Sequence, residues 1–205
     1  MNPLDRVHGG WVHRRRVARL ADALLPLLPD KGIVLDVGCG DGALAHELAS
    51  RNKRLDVRGL DVMVRGTTLI PVIPFDGRRI PFNDDSVAAV LMVDVLHHAD
   101  DPKRLLADAV RAARSIVIKD HLRQGLGAAP TLRFMDWVGN ARHGVSSPGR
   151  YWSPGEWEKV FAELHLQPSV RETRLKLYPW PASWIFGRGL HFAVRLERAS
   201  PEDVA

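Results

Sequence analysis

Cysteine is nearly absent from this chain: Cys39 stands alone. A lone thiol closes no intramolecular disulfide and builds no zinc site from several thiolates. Long apolar runs are missing as well. The longest, Val87 to Val93, falls far short of the ~20 residues that span a bilayer. The opening residues, MNPLDRVHGG, lack the apolar stretch of a secretory signal. No membrane span is expected, and the cytoplasm is the expected compartment. Lysine is scarce, with 6 Lys against 23 Arg and a net charge of +5. A basic balance can signal nucleic acid, but the arginines are spread along the chain and only Arg14-Arg15-Arg16 forms a run. Solvated surface charge is the simpler reading, and nucleic acid is not expected as a partner. Aromatics are scarce in residues 1–130, which hold only Trp11, Phe75 and Phe82; residues 131–205 hold the other eleven.

What remains is ordinary for a globular protein: 205 residues, 45% apolar and 26% charged. That length suits one domain, which buries roughly 70% of the unfolded surface without a metal or disulfide. Val17, Leu20, Ala21, Leu24, Leu25 and Leu28 recur at helical spacing, with Pro26 interrupting the pattern. Strands are expected at 33–37, at 55–60 ending in Asp61, near 70–74, at 87–93 and at 115–119. A helix is expected at 43–50. Asp101-Pro102 is an N-cap followed by proline at the first helical position, opening a helix with Leu105, Leu106, Ala109, Val110 and Ala113 on one face. A short helix is read at 131–140. Ser153-Pro154-Gly155-Glu156 is a capping box, placing Trp157, Val160, Phe161 and Leu164 on one helix face. Two final β-like runs, near 168–178 and 190–197, have no helical pattern between them and are expected to pair antiparallel. Strands alternating with helices give an α/β fold: a Rossmann-like, doubly wound, mostly parallel seven-stranded sheet with an antiparallel C-terminal strand. Ligands of such sheets bind beyond the carboxyl ends of the strands, where the strand order reverses.

Between the first strand and the helix at 43–50 lies Gly38-Cys39-Gly40-Asp41-Gly42. Glycines there let the backbone turn and let a ligand approach closely. The run fits the dinucleotide fingerprint G-x-G-x-x-A, and Asp61 lies about 20 residues on, so the loop alone does not separate a nicotinamide cofactor from S-adenosylmethionine. Asp36 and Asp41 tilt the choice, because carboxylates repel a pyrophosphate and suit a ligand bearing an ammonium and a sulfonium.

VLDVGCGDG at 34–42, GLD at 59–61, FDGRRIPFNDDS at 75–86 and AAVLMVDVLHHADDP at 88–102 together resemble the class I S-adenosylmethionine-dependent methyltransferases. The similarity is to their small-molecule branch, which includes enzymes of the ubiquinone and menaquinone biosynthesis type (methyltransferase type 11), and it covers roughly residues 30–120. It implies S-adenosyl-L-methionine as cofactor and S-adenosyl-L-homocysteine as product. It places Asp36, Gly38 and Gly40 at the amino-acid end of the cofactor, Asp61 at the ribose, Asp76 and Gly77 near the adenine, and Val93 and Asp94 beside the methionine moiety, with Cys39, Asp41 and Val62 as further cofactor-binding positions. One departure stands out. Only 15 residues separate Asp61 from Asp76, too few for the usual crossover helix, so the family's third helix is expected to shrink to a loop. The implied domain is single: residues 1–30 a helical cap, 31–120 the cofactor-binding core, 121–190 the acceptor pocket and lid.

Methyl transfer asks the protein to align an acceptor, exclude water and, for a hydroxyl or amine, accept a proton. Histidine suits the last task. His97 and His98 follow the fourth strand and Asp120-His121 ends the fifth; His121, Asp120 and His97 are the candidate catalytic residues. Cys39, between glycines, reads as a small side chain that fits rather than a reactive thiol. The nine histidines look scattered, and no metal constellation is visible. Trp137, Asn140, His143, Trp180 and Trp184 are the candidate acceptor pocket, suiting an apolar or aromatic small molecule. Rival readings are an RNA or protein methyltransferase, a non-catalytic methyltransferase-like binding protein and a nicotinamide dehydrogenase. Oligomeric state is not legible in the sequence.

Overall fold

A computed structural model describes residues 3–140 and 150–199. Seven strands form one sheet: β1 (Gly32–Val37), β2 (Leu55–Asp61), β3 (Val72–Pro74), β4 (Val87–Val93), β5 (Ala113–His121), β6 (Leu166–Glu172) and β7 (His191–Arg198). Their order is β3-β2-β1-β4-β5-β7-β6. The first five run parallel, and β7 lies antiparallel between β5 and β6. The doubly wound architecture expected from the sequence is thus present. Strand order reverses between β1 and β4, so the loops leaving those two strands flank the switch point.

Alternation along the strands divides the core in two. On one face Leu35, Val37, Val90, Met92, Ile116 and Ile118 pack with α3 (Pro102–Ala112) and α5 (Pro154–Glu163). On the other, Val34, Ala89, Leu91 and Val117 pack with α1 (Pro3–Leu24) and α2 (Ala43–Arg51). Burial on both faces is what the unbroken apolar run of β4 requires. The start signals act as read: Asp101 accepts from Arg104 N–H at 3.0 Å, and Ser153 and Glu156 close a reciprocal capping box. Pro26 falls just past α1, where the chain tightens into a 3-10 turn, Leu25–Leu27.

The connection from β2 to β3 holds no helix, in keeping with its short span. Strand β6 is an edge strand, exposed beyond Leu166 and bulged between Pro168 and Val170, a form that resists pairing with another chain. The sequence reading missed one element. A five-residue helix, α6 (Ala182–Phe186), sits between β6 and β7; helix α4 (Ala128–Asn140) precedes α5 and starts three residues before its expected position. No helix of the described residues is long and apolar enough to cross a membrane.

Candidate functional site

The turn after β1 is built by glycine because two loops crowd there. Gly38 has φ +73°, and a Cβ on it would lie 2.5 Å from Val95 Cγ2 in the loop after β4. Gly42, at φ +75°, is the left-handed N-cap of α2, and a Cβ there would meet Ile70 Cγ1 at 2.5 Å. Both positions exclude a side chain on conformation and on space. Asp61 then holds the loop from the end of β2. Its Oδ2 accepts from Gly40 N–H at 2.8 Å and its Oδ1 from Met63 N–H at 2.9 Å. Asp41 accepts from Ala43 N–H at 3.1 Å.

Buried Asp36 at the end of β1 and half-buried Cys39 in the turn lie close together. Burial, and after it the nearby Asp61 charge, pushes the Asp36 carboxyl up to about 7. Burial and the Asp36 and Asp61 charges push the Cys39 thiol up to about 12, so it is no thiolate nucleophile. Its sulfur occupies the place a Cβ on Gly59 would need, 2.6 Å away, in accord with a packing role.

A cleft of about 920 Å³ opens at the switch point. Gly38, Gly40, Asp61, Val62, Asp76, Gly77 and Asp94 line it. Asp36, Cys39, Asp41 and Val93, grouped with them from the sequence, do not. Asp36 lies beneath the loop and Val93 ends inside the sheet. Asp76 Oδ1 accepts from Arg78 and Arg79 N–H, each at 2.8 Å, and these bonds hold its carboxyl below the usual range. Arg65, Arg78, Arg104 and His98 also line the cleft; the sequence reading gave the arginines no place in it.

Beyond Asp94 the wall becomes a network of buried charge. Register places Val93 beside Lys119 in the neighbouring strand, so the groups that follow converge. Asp94, at φ +56°, accepts from Lys119 Nζ at 2.5 Å and from Arg16 Nη2 of α1 at 2.9 Å. Burial would raise the Asp94 carboxyl, but Lys119, His121 and Arg16 hold it well below the carboxylate range. Helix α1 thereby reaches the end of β4, and its His13 lies 3.6 Å from Asp41. His97 Nδ1 lies 2.6 Å from Asp120 Oδ1, and His121 Nδ1 3.3 Å from the same oxygen. Burial alone would lower His97, yet Asp120 outweighs it and pushes His97 up to about 10. Asp120 sits correspondingly below its usual range, despite burial, because of His97 and His121.

These positions differ from the sequence reading in three places. First, His97, Asp120 and His121 are buried behind the cleft and absent from its lining. His97 is 3% exposed. The histidine that borders the cleft is its neighbour His98, whose imidazole is held neutral by burial and then by the charge on His97. Second, the exposed tryptophans do not wall the cleft: Trp137, Trp180 and Trp184 are 68%, 85% and 81% exposed and lie outside its lining. The Asn140 side chain and His143 fall outside the described residues. Third, the histidines converge in space. Adjacent ring centroids run His98–His97 4.0 Å, His97–His121 4.7 Å and His121–His191 4.9 Å. Two groups, His97–Asp120–His121 and His97–His98–Asp136, bring nitrogen and oxygen atoms within 4.8 Å of one another. The scattered sequence positions concealed a ligand-like constellation.

Set beside known proteins, the chain matches the family described as the methyltransferase domain over residues 11–168. No curated protein matches the sequence. Among solved structures, a Haloferax volcanii complex of the Trm112 methyltransferase activator with a proposed methyltransferase is similar at 17% identity and TM-score 0.69, covering 95% of this chain and 94% of that one. A Thermotoga maritima SAM-dependent methyltransferase is similar at 21% identity and TM-score 0.66, covering 94% and 95%. A geranyl diphosphate methyltransferase in complex with SAM is similar at 16% identity and TM-score 0.65, covering 88% and 84%.

Proposed function

We propose a small-molecule acceptor, in the cytoplasm, for this chain, which belongs to the methyltransferase-domain family and is an S-adenosylmethionine-dependent methyltransferase. When bound, the cofactor supplies an electrophilic methyl group on a sulfonium and leaves as S-adenosylhomocysteine. The residues present fit it. The positive-φ backbone of Gly38 and Gly40 lines the cleft without side chains. Asp61 stands at the cleft with both oxygens oriented by backbone N–H groups, ready to accept from ribose hydroxyls through their remaining lone pairs. Asp76 takes the adenine end. Asp36, buried beneath the loop and outside the cleft lining, would feel a ligand ammonium only through its field, which favours the anion. Asp94, fixed by Lys119 and Arg16, borders the methionine end. His98 lines the cleft with its imidazole held low by burial and by the charge on His97.

The observation that carries the small-molecule reading is the cleft itself. Ligand cavities run to about 300–1,000 Å³, and about 920 Å³ accommodates a nucleoside cofactor and a compact acceptor. Apolar or aromatic character in that acceptor is supported by Met63, Phe75, Val95 and Leu105 in the cleft lining. A second reading, an RNA or protein acceptor handled with a partner, draws on the Haloferax volcanii complex and on the exposed Arg14, Arg15 and Arg16 of α1. Methyl-labelled cofactor incubated with small-molecule, RNA and protein fractions separates the two. Label in the solvent-extractable small-molecule fraction is expected. Label confined to RNA or protein would overturn the proposal.

A further inference from the structure

We propose that His97 Nε2, His98 Nδ1 and Asp136 Oδ1 form a binding site for a divalent transition-metal ion at the edge of the cofactor cleft. One ligand atom from each of the three residues lies within 4.8 Å of the others, and His97 Nε2 is 3.5 Å from Asp136 Oδ1. Ligand atoms bound tetrahedrally at about 2.0–2.2 Å stand roughly 3.3–3.6 Å apart, so that pair already has the spacing of two ligands.

The second observation is independent of the spacing. Among the described residues, His97 Nε2 and His98 Nδ1 are both buried and lack a hydrogen-bond partner, and His97 as a whole is 3% exposed. Buried polar atoms are ordinarily satisfied, so two orphaned nitrogens at one spot ask for a common partner. A proton on His97, shared with Asp136, answers for Nε2 but leaves His98 Nδ1 unanswered. A metal ion answers for both.

The surroundings are those of a metal-binding histidine. The ionised Asp120 carboxylate can only accept, so His97 Nδ1–H donates to it at 2.6 Å, and a metal ion would displace the proton on Nε2 and take up its lone pair. A carboxylate behind a ligating imidazole orients the ring and raises its basicity. Tyr151 Oη donates to Asp136 Oδ2, turning the other oxygen toward His97. The other constellation, His97–Asp120–His121, is already joined by its own hydrogen bonds and supports this one from behind.

Two imidazole nitrogens and one carboxylate oxygen, with no thiolate, suit Zn²⁺ or Fe²⁺ rather than Mg²⁺ or Ca²⁺. Three protein ligands leave a coordination position open, and His98 lines the cleft. On the methyl-transfer reading, which this last step alone requires, an acceptor hydroxyl placed there would give up its proton more readily.

The test uses the full chain stripped with chelator. Zn²⁺ is titrated calorimetrically and Co²⁺ by visible absorption, with S-adenosylhomocysteine titrated into the same preparation. One saturable equivalent of Zn²⁺ and the ligand-field bands of bound Co²⁺ are expected. Asp136→Asn and His98→Ala should each weaken uptake about tenfold or more, and Asp120→Asn by about 10–100-fold through the ring it orients. Protein that binds S-adenosylhomocysteine but takes up neither metal at millimolar concentration would overturn the site and spare the cofactor reading. Uptake unchanged in both ligand variants would overturn it too. Metal uptake without homocysteine-ligand binding would leave the site standing and sink the cofactor assignment instead.

Discussion

The two ends of the cleft are made of different material. At the loop after β1, the wall is backbone: Gly38 and Gly40 at positive φ, N–H groups shared with Asp61, and no room for a Cβ against Val95. At the ends of β4 and β5 it is side chain: Asp94 lines the cleft, backed by Lys119, Asp120 and His97, which are nearly or fully removed from solvent. The first end tolerates changes of charge better than changes of shape. The second tolerates changes of shape better than changes of charge, since burying an ion is affordable only beside its partner.

The largest expected effect attacks the charged end. Lys119→Met keeps the volume of a side chain that is 1% exposed and leaves Asp94 with Arg16 and the more distant His121. A loss of about 3–5 kcal/mol is expected in denaturant unfolding, with the double variant Lys119→Met/Asp94→Leu recovering much of it. Next comes the backbone end. Gly38→Ala forces a Cβ into left-handed backbone and against Val95, costing about 2–4 kcal/mol; thermal unfolding measures it. If Gly38→Ala were as mild as a surface change, the contrast between the ends would fail.

Smaller in energy is Asp61→Ala, which removes the group bridging Gly40, Met63 and the proposed ribose position. Affinity for S-adenosylhomocysteine should fall at least about tenfold, or ~1.4 kcal/mol, while the fold survives; an unchanged affinity would show the ribose assignment to be wrong. Smallest is a pH effect at Asp36. Its folded value, about 7, lies above the 3.8 of an ordinary aspartate. The native state therefore holds the proton longer than the unfolded chain, and stability falls as pH rises between those values. Ligand affinity moves the other way, rising through pH 7 as the carboxylate becomes available to an ammonium, and Asp36→Asn should flatten both profiles.

The same division explains what could be read in advance. The backbone end is contiguous: strand, glycine loop and helix follow each other from Ile33 to Arg51, and turn chemistry is local. Strand β4 was legible to the residue because seven apolar residues end abruptly at Asp94. The charged end is assembled from residues 94, 97, 119, 121, 136 and 191, and only register unites them. One signal was available: β4 and β5 are parallel neighbours, so the groups just past Val93 and Lys119 had to stand side by side. The pairing of His121 with His191 needed the antiparallel register of β7, which alternation alone does not set. Helix α6 is five residues long, below what a 3.6-residue period can reveal. The aromatic excess was real, yet composition carries no direction. Trp157 turned inward to Phe192, whereas Trp180 and Trp184 turned to solvent.

Calorimetric titration of S-adenosylhomocysteine into the intact chain at pH 8 tests the central claim most directly. The account expects saturable binding of one equivalent at micromolar concentration; no heat of binding at millimolar concentration would contradict it.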